Sequence, residues 1–387
     1  MPEAGRETDL RDAANGPVKP ATGPLIDRWT TFYGLFLIGL IVGYYGIMVY
    51  FAGQLLSWSL ILMRTAFQST QVGWIVVAAV GILVLVFLLI RTIRHLIYAS
   101  AGLVTDVNES VPEANEGIEI QRGEYPQLFE LIDTVGDAVG SPRPDEVRVH
   151  HPPESFTLEM RRFGIQTKRR LILVLSVPQM GVFTTAELGV ILAHELSHFG
   201  GGYTRLIVFL DRFANSLRTS TEAIGTRWWH WFDPIYWFNF GYLRAFVLLS
   251  APLQRHQELL ADRVSAEIFG GEVAARTLLK DWLLSNQFLS AIGSYEPNEN
   301  GEAPENIFSW FRQRWRDFST DGEDYLLRRL ESQQQPSFWY DDPTIPERVQ
   351  LMRKFPPQDI EPIRPVRELV ANLDALEDRL HEEVVNE

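Results

Sequence analysis

The 387-residue chain contains no cysteine. That excludes disulfides, a thiol nucleophile and thiolate metal ligands, so any bound metal must rest on His, Asp or Glu. Positive charge is scarce as well, with 35 Lys and Arg against 49 Asp and Glu for a formal net charge of −14. Such a balance argues against nucleic acid as a partner. Lysine is nearly absent, confined to Lys19, Lys168, Lys280 and Lys354.

Charge of either sign is missing from two long blocks. Thr31 to Gly53 carries none and would be about 34 Å long as a helix; Gly73 to Ile90 carries none and would span about 27 Å. Runs that are apolar on every face read as membrane-spanning helices rather than core helices. About thirty polar residues precede the first run, which is also too long for the apolar segment of a cleavable signal peptide. Lys19 and Arg28 flank the first run, and Arg91, Arg94 and His95 follow the second. The connecting stretch from Gln54 to Gln71 holds only Arg64. The positive-inside rule therefore places both termini, and everything after Ile90, on the cytoplasmic side of the cell membrane.

Organisation along the chain follows. Residues 1–25 lack periodicity and read as a disordered tail, 26–100 as a transmembrane hairpin, and 101–387 as a second domain. Tyr125 to Val139 has the spacing of an amphipathic helix. Strands are expected at Glu146 to His150, Phe156 to Met160 and Arg170 to Val177. Within this domain, residues 203–254 form an insert crowded with Trp228, Trp229, Trp231 and Trp237, which suits one or two helices lying at or partly in the bilayer. Ser294 to Asn306 reads as a loop, and the chain from about Pro365 as an acidic surface helix. The fold class is α+β and mainly helical.

The chemistry concentrates at His194-Glu195-Leu196-Ser197-His198. Two histidines four apart share one helical face and can reach one cation, with Glu195 beside it to accept a proton from water. Thr184-Thr185-Ala186-Glu187 is a capping-box start for that helix, Leu188, Ile191 and Leu192 recur at helical spacing, and Gly200-Gly201-Gly202 ends it. Before it runs Leu171-Ile172-Leu173-Val174-Leu175. Leu171, Leu173 and Leu175 are the candidate edge strand on which an extended peptide could lie beside the metal.

A catalytic zinc site needs a third protein ligand. No histidine follows in Phe199 to Tyr203, so a carboxylate from a second helix is the alternative, and Glu258 supplies one. Asp262, four residues later, could accept a hydrogen bond from a ligand imidazole. The remaining histidines make poor ligands: His150 and His151 would point to opposite faces of a strand, and His256 faces away from Glu258 on a helix.

With these residues the sequence resembles the gluzincin peptidases of the HtpX and CAAX-prenyl-endopeptidase type. The resemblance rests on the HELSH motif at His194 to His198, the Glu-x-x-Ala-Asp at Glu258 to Asp262, and the membrane hairpin ahead of them. It implies a gluzincin-type metallopeptidase domain with a small β-sheet beside the motif helix. It further implies one zinc ion per chain held by His194, His198 and Glu258, Glu195 as the base, and protein or peptide substrates in or near the bilayer. The alternatives are processing of lipid-modified C-termini, and a non-catalytic scaffold or chaperone that retains the zinc fold. One departure stands out: where the family often has Thr-His-Pro before a downstream Arg, this chain reads Asp341-Asp342-Pro343 before Arg348. Arg348 could steady Asp262 or polarise the oxyanion of the reaction. The oligomeric state, the substrate and the cleavage preference are not legible in the sequence.

Overall fold

The computed structural model describes residues 28–104, 117–161, 169–200, 204–225, 232–293, 295, 306–315, 320–333, 342–360, 364–370 and 372–386. The expected tail at 1–25, the Gly201-Gly202 helix stop, three of the insert tryptophans and nearly all of the loop at 294–306 lie outside these residues. The order of elements is α1 (Arg28–Gln68), α2 (Val72–Val104), β1 (Ile118–Glu119), α3 (Pro126–Val139), β2 (Glu146–His150), β3 (Phe156–Arg161), β4 (Arg169–Ser176), α4 (Val177–Val182), α5 (Thr185–Gly200), α6 (Thr204–Gly225), α7 (Pro234–Phe269), α8 (Gly271–Ile292), α9 (Ile307–Arg314), α10 (Thr320–Gln333), α11 (Ile345–Met352) and α12 (Leu373–Asn386). They divide into two compact units. Residues 26–106 and 205–253 form one, and 107–204 with 254–387 form the core of the other.

In the first unit α1 and α2 form an antiparallel hairpin. Tyr45 Oη donates to the Ala99 carbonyl at 3.0 Å, and Leu62 packs over Gly81. The connection expected at Gln54 to Gln71 shrinks to the few residues after Gln68, because α1 runs on through Gln54–Gln68. No proline or glycine interrupts those residues, so nothing in the sequence stops the helix. Both helices are long and apolar enough to cross a membrane, and they leave large side chains such as Phe32, Trp58, Phe67 and Leu83 exposed. A core helix of a soluble domain would hide that surface, so these two helices suggest association with a bilayer. The insert groups with the hairpin. α6 and the first half of α7 pack on α1 through Leu206 against Gly34, Tyr33 Oη on the Leu249 carbonyl (2.6 Å) and Tyr44 Oη on Asn239 Oδ1 (2.9 Å). Arg91 pairs with Asp233 at 2.7 Å, so the charge inside this apolar bundle is matched.

The second unit is built on a four-stranded mixed sheet in the order β1-β2-β4-β3. β4 runs parallel to β2 and antiparallel to β3, so it is central and paired along both sides. This corrects the expectation for Leu171, Leu173 and Leu175. Their backbone is already hydrogen-bonded, and their side chains are at most 3 % exposed, in the main core against α3 and α5. The uninterrupted Leu-Ile-Leu-Val-Leu run is what a strand buried on both faces shows, since Ile172 and Val174 pack the opposite face with Phe156 and Leu158. The edge strand is β3. Among the described residues no strand pairs with its outer side.

The main core continues into α8, α9 and α11, and the C-terminal segment joins it. α12 buries Leu373, Leu376 and Leu380, so it is amphipathic and closes the core rather than lying free on the surface. One contact governs the spacing of the two helices that matter most. A Cβ built on Gly189 of α5 would meet the Phe269 ring of α7 at 2.5 Å. A rigid ring in a packed core cannot yield as a flexible chain end would. Gly189→Ala should therefore cost about 1–3 kcal/mol, seen as a lower thermal midpoint. An unchanged midpoint would mean that α5 and α7 are not held this closely.

Candidate metal centre

α5 begins as its sequence dictates. The Thr184 amide donates to Glu187 Oε2 (2.8 Å), and the Glu187 amide donates back to Thr184 Oγ1 (3.3 Å), which satisfies two of the helix's unpaired N–H groups. Lys280 on α8 then pairs with Glu187 at 2.9 Å and locks the helix start to the unit. Leu188, Leu192, Ala193 and Leu196 are fully buried, and that face fixes the rotation of α5. His194, Glu195 and His198 consequently lie on the half-buried face.

Residues 254–269 of α7 bring Glu258 and Asp262 to the same place. His194 Nε2 lies 3.3 Å from Glu258 Oε2, and His198 Nε2 lies 3.6 Å from Glu258 Oε1. One ligand atom from each of His194, His198 and Glu258 falls within 4.8 Å of the others. A four-coordinate ion with bonds of about 2.0–2.1 Å requires ligand separations of roughly 3.3–3.4 Å along each tetrahedral edge. Each imidazole Nε2 approaches one Glu258 oxygen at close to that spacing, Oε2 for His194 and Oε1 for His198, and the donor set of two imidazoles and one carboxylate suits zinc. These are the only residues grouped so among those described.

Asp262 is fully buried. Its Oδ1 lies 3.1 Å from His194 Nδ1, which leaves Nε2 of that ring to face the ion. Arg348, carried by α11, donates to both Asp262 oxygens, through Nε at 2.7 Å and Nη2 at 2.6 Å. Of the two roles open to Arg348, this geometry supports the steadying one; its nearest approach to Glu258 is 3.9 Å. A second capping box places α11: Thr344 and Glu347 exchange bonds, and Arg255 holds Glu347 at 3.0 Å. Asp342, at the position where the family often has histidine, lines the same cleft.

The titration of these groups follows from burial and from the charges packed around them. Burial alone would lower His194, but the carboxylates of Asp262 and Glu258 outweigh it and hold the imidazole at about 10. His198 is pushed down to about 4 by burial and by the nearby His194 charge. Glu258 is held down at about 2 because the His194 bond and the surrounding positive charge overcome burial. Burial pushes Glu195 up to about 7, with the Glu258 charge adding to the rise. Thr157 of β3 steadies Glu195, its Oγ1 lying 3.3 Å from Glu195 Oε2.

Sequence reasoning named each of these groups except Thr157. Its position in an alternating Phe156-Thr157-Leu158 strand carries no local signal, and only the folding of β3 over α5 brings it to Glu195. The other histidines do other work. His95 lies 2.8 Å from Tyr44 Oη inside the helix bundle, and His150 lies 2.5 Å from the Glu154 carbonyl, neutral at about 4 through burial. His230 lies outside the described residues.

Comparison with known families returns one finding. The profile described as Peptidase family M48 matches residues 127–355, a span that contains the motif helix, Glu258, Asp262 and Arg348. No curated protein matches the chain. No solved structure matches it either.

Because Asp262 fixes His194, Asp262→Asn should weaken zinc binding about 10–100-fold, read by competition with a chromogenic chelator on protein of unchanged circular dichroism. An unchanged affinity would remove Asp262 from that role.

Proposed function

The chain belongs to peptidase family M48, whose profile covers more than half of its length, and on that premise we propose that it is a membrane-bound, zinc-dependent endopeptidase. Its substrates in this reading are proteins in or next to the bilayer, cleaved for quality control or processing. The observation that carries the proposal is the convergence of His194, His198 and Glu258 from two helices, with Glu195 adjoining them in the same cleft.

Zinc held by these three side chains supplies Lewis acidity, drawing charge from a scissile carbonyl and making water a stronger nucleophile near neutral pH. The rest falls to the chain itself. Glu195 takes the proton of the attacking water and later delivers it to the departing amine. The carboxylate must be ionised to accept that proton, and a divalent cation beside it would favour that state. The Thr157 hydroxyl steadies the Glu195 carboxylate, and the Arg348–Asp262 pair keeps His194 turned toward the ion. The open outer side of β3 offers backbone N–H and C=O groups to an extended peptide, which would add itself to the sheet beside Glu195. A scaffold that retained zinc for stability alone would not need a carboxylate such as Glu195 beside its ligands.

The two apolar helices supply the bilayer attachment, and the basic residues at Arg91 and Arg94 favour a cytoplasmic active site in this reading.

Purified enzyme should cleave an unfolded protein such as casein, lose that activity to a chelator, and regain it with one equivalent of zinc. Glu195→Gln should keep the zinc yet lose about 100- to 10,000-fold in turnover. Near-normal cleavage by that variant would remove Glu195 from the mechanism, and activity untouched by chelation would remove the metal.

A further inference from the structure

The cleft lined by His194, Glu195 and Glu258 encloses about 490 Å3 and extends well past them, to Glu154, Ser155, Gln179 and the α8 residues Asp281 and Trp282. The chemistry described above uses none of these. Among the described residues Arg348 is the only Lys or Arg that lines the cleft, and Asp262 occupies two of its donors. The far end of the cleft carries the carboxylates of Glu154 and Asp281, and among the described residues neither forms an ion pair with a Lys or Arg.

Asp281 is the best defined of these, because a chain of hydrogen bonds fixes its role. The Ser176 amide donates to Ser155 Oγ at 2.9 Å, so the serine must spend its own proton elsewhere. It spends it on Gln179 Oε1. With its oxygen taken, the Gln179 amide presents Nε2 to Asp281 Oδ1, at 2.6 Å. In this arrangement Asp281 receives a hydrogen bond from the Gln179 amide. Among the described residues no donor reaches its other oxygen. Burial, with the Glu154 charge adding, pushes the group up to about 7, against the lowering by the Gln179 bond and the more distant Arg348 and His194 charges.

The distance from the reaction centre is set by β3. Ser155, which feeds this chain, is two residues before Thr157, which touches Glu195. Two residues of strand cover about 7 Å. A peptide lying along β3 would thus bring a side chain one or two positions from the scissile bond to Asp281. Leu278 and Trp282 flank that position with apolar surface suited to the methylene stem of a long cationic side chain.

We propose that Asp281 is a specificity-determining residue that selects substrates with Lys or Arg one or two positions from the cleaved bond, the Glu154 carboxylate at the rim adding to the attraction. This rests on the peptidase reading and names its substrate class.

The test uses the full chain in lipid nanodiscs, loaded with zinc, and quenched fluorescent peptides identical except for Lys or norleucine at each of the two positions on either side of the cleaved bond. Wild type should favour Lys at one position by about tenfold or more in kcat/KM. Asp281→Asn, which keeps the shape and the Gln179 contact, should bring that ratio close to one while leaving the norleucine peptide within about threefold. Asp281→Lys should turn the preference toward Glu at the same position. Binding of the same peptides to Glu195→Gln enzyme, followed by fluorescence anisotropy, should show the same ratio without turnover. Cleavage of both peptides at equal rates by wild type would overturn the inference and leave the peptidase reading standing. Equal losses on both peptides in Asp281→Asn would also overturn it, by reducing Asp281 to a structural role. An enzyme that cleaves neither peptide nor casein would overturn the peptidase reading and this inference with it.

Discussion

The Asp262 carboxylate holds the site together. It is fully buried on α7, yet it faces His194 from α5 and accepts both donors of the Arg348 fork from α11. Taking a carboxylate out of water is unfavourable by several kcal/mol unless its oxygens are filled, and a planar two-donor guanidinium fills them with fixed geometry. Once that pair exists, α5, α7 and α11 cannot slide independently. The imidazole ring of His194 is then turned so that its second nitrogen can serve as a ligand. Burial and function are coupled here: the interaction that makes Asp262 tolerable in the interior is the one that orients the ligand. Loss of either partner would strand a charge and be strongly destabilising, by about 3–5 kcal/mol for a buried pair.

The same logic explains the opposite shifts of the two histidines. Both imidazoles are buried, and burial lowers each. His194 has carboxylates on either side, Asp262 at 3.1 Å and Glu258 at 3.3 Å, while His198 lies 3.6 Å from Glu258. At His194 the adjoining carboxylates outweigh burial, and at His198 burial prevails, so the two rings shift in opposite directions.

How much of this was legible in the sequence depended on whether the signal was local. The spacing of His194 and His198, the Thr184–Glu187 cap and the four-residue step from Glu258 to Asp262 are helical facts, and helical neighbours are set within one turn of chain. The apolar runs were equally plain, although the end of α1 was not: with neither proline nor glycine from Gln54 to Gln68, the helix outlasted the run that revealed it. Strand order was beyond local reach. Leu171 to Leu175 looked like an edge because it precedes the motif helix, but neighbours in a sheet are chosen by pairing between distant segments. The parallel partner β2 and the antiparallel partner β3 took both sides. Thr157 and Asp281 escaped for the same reason, since each reaches the cleft only through the packing of elements far apart in sequence. Arg348 was an intermediate case: its chemistry suggested two roles, and only the bidentate contact with Asp262 separated them.

That contact bears on the departure at Asp342. Arg348, which lines the cleft, gives its Nε and Nη2 donors to Asp262 and is thereby committed to holding His194. A carboxylate in place of histidine adds negative charge where the family pattern would allow a donor. The rest of the cleft, with Glu154, Asp281 and Asp342 around it, becomes a field that favours cations. A cleft of that sign draws in a divalent ion first and basic segments of a substrate second. It repels acidic segments, so one charge distribution would serve both retention of the cofactor and discrimination among peptides.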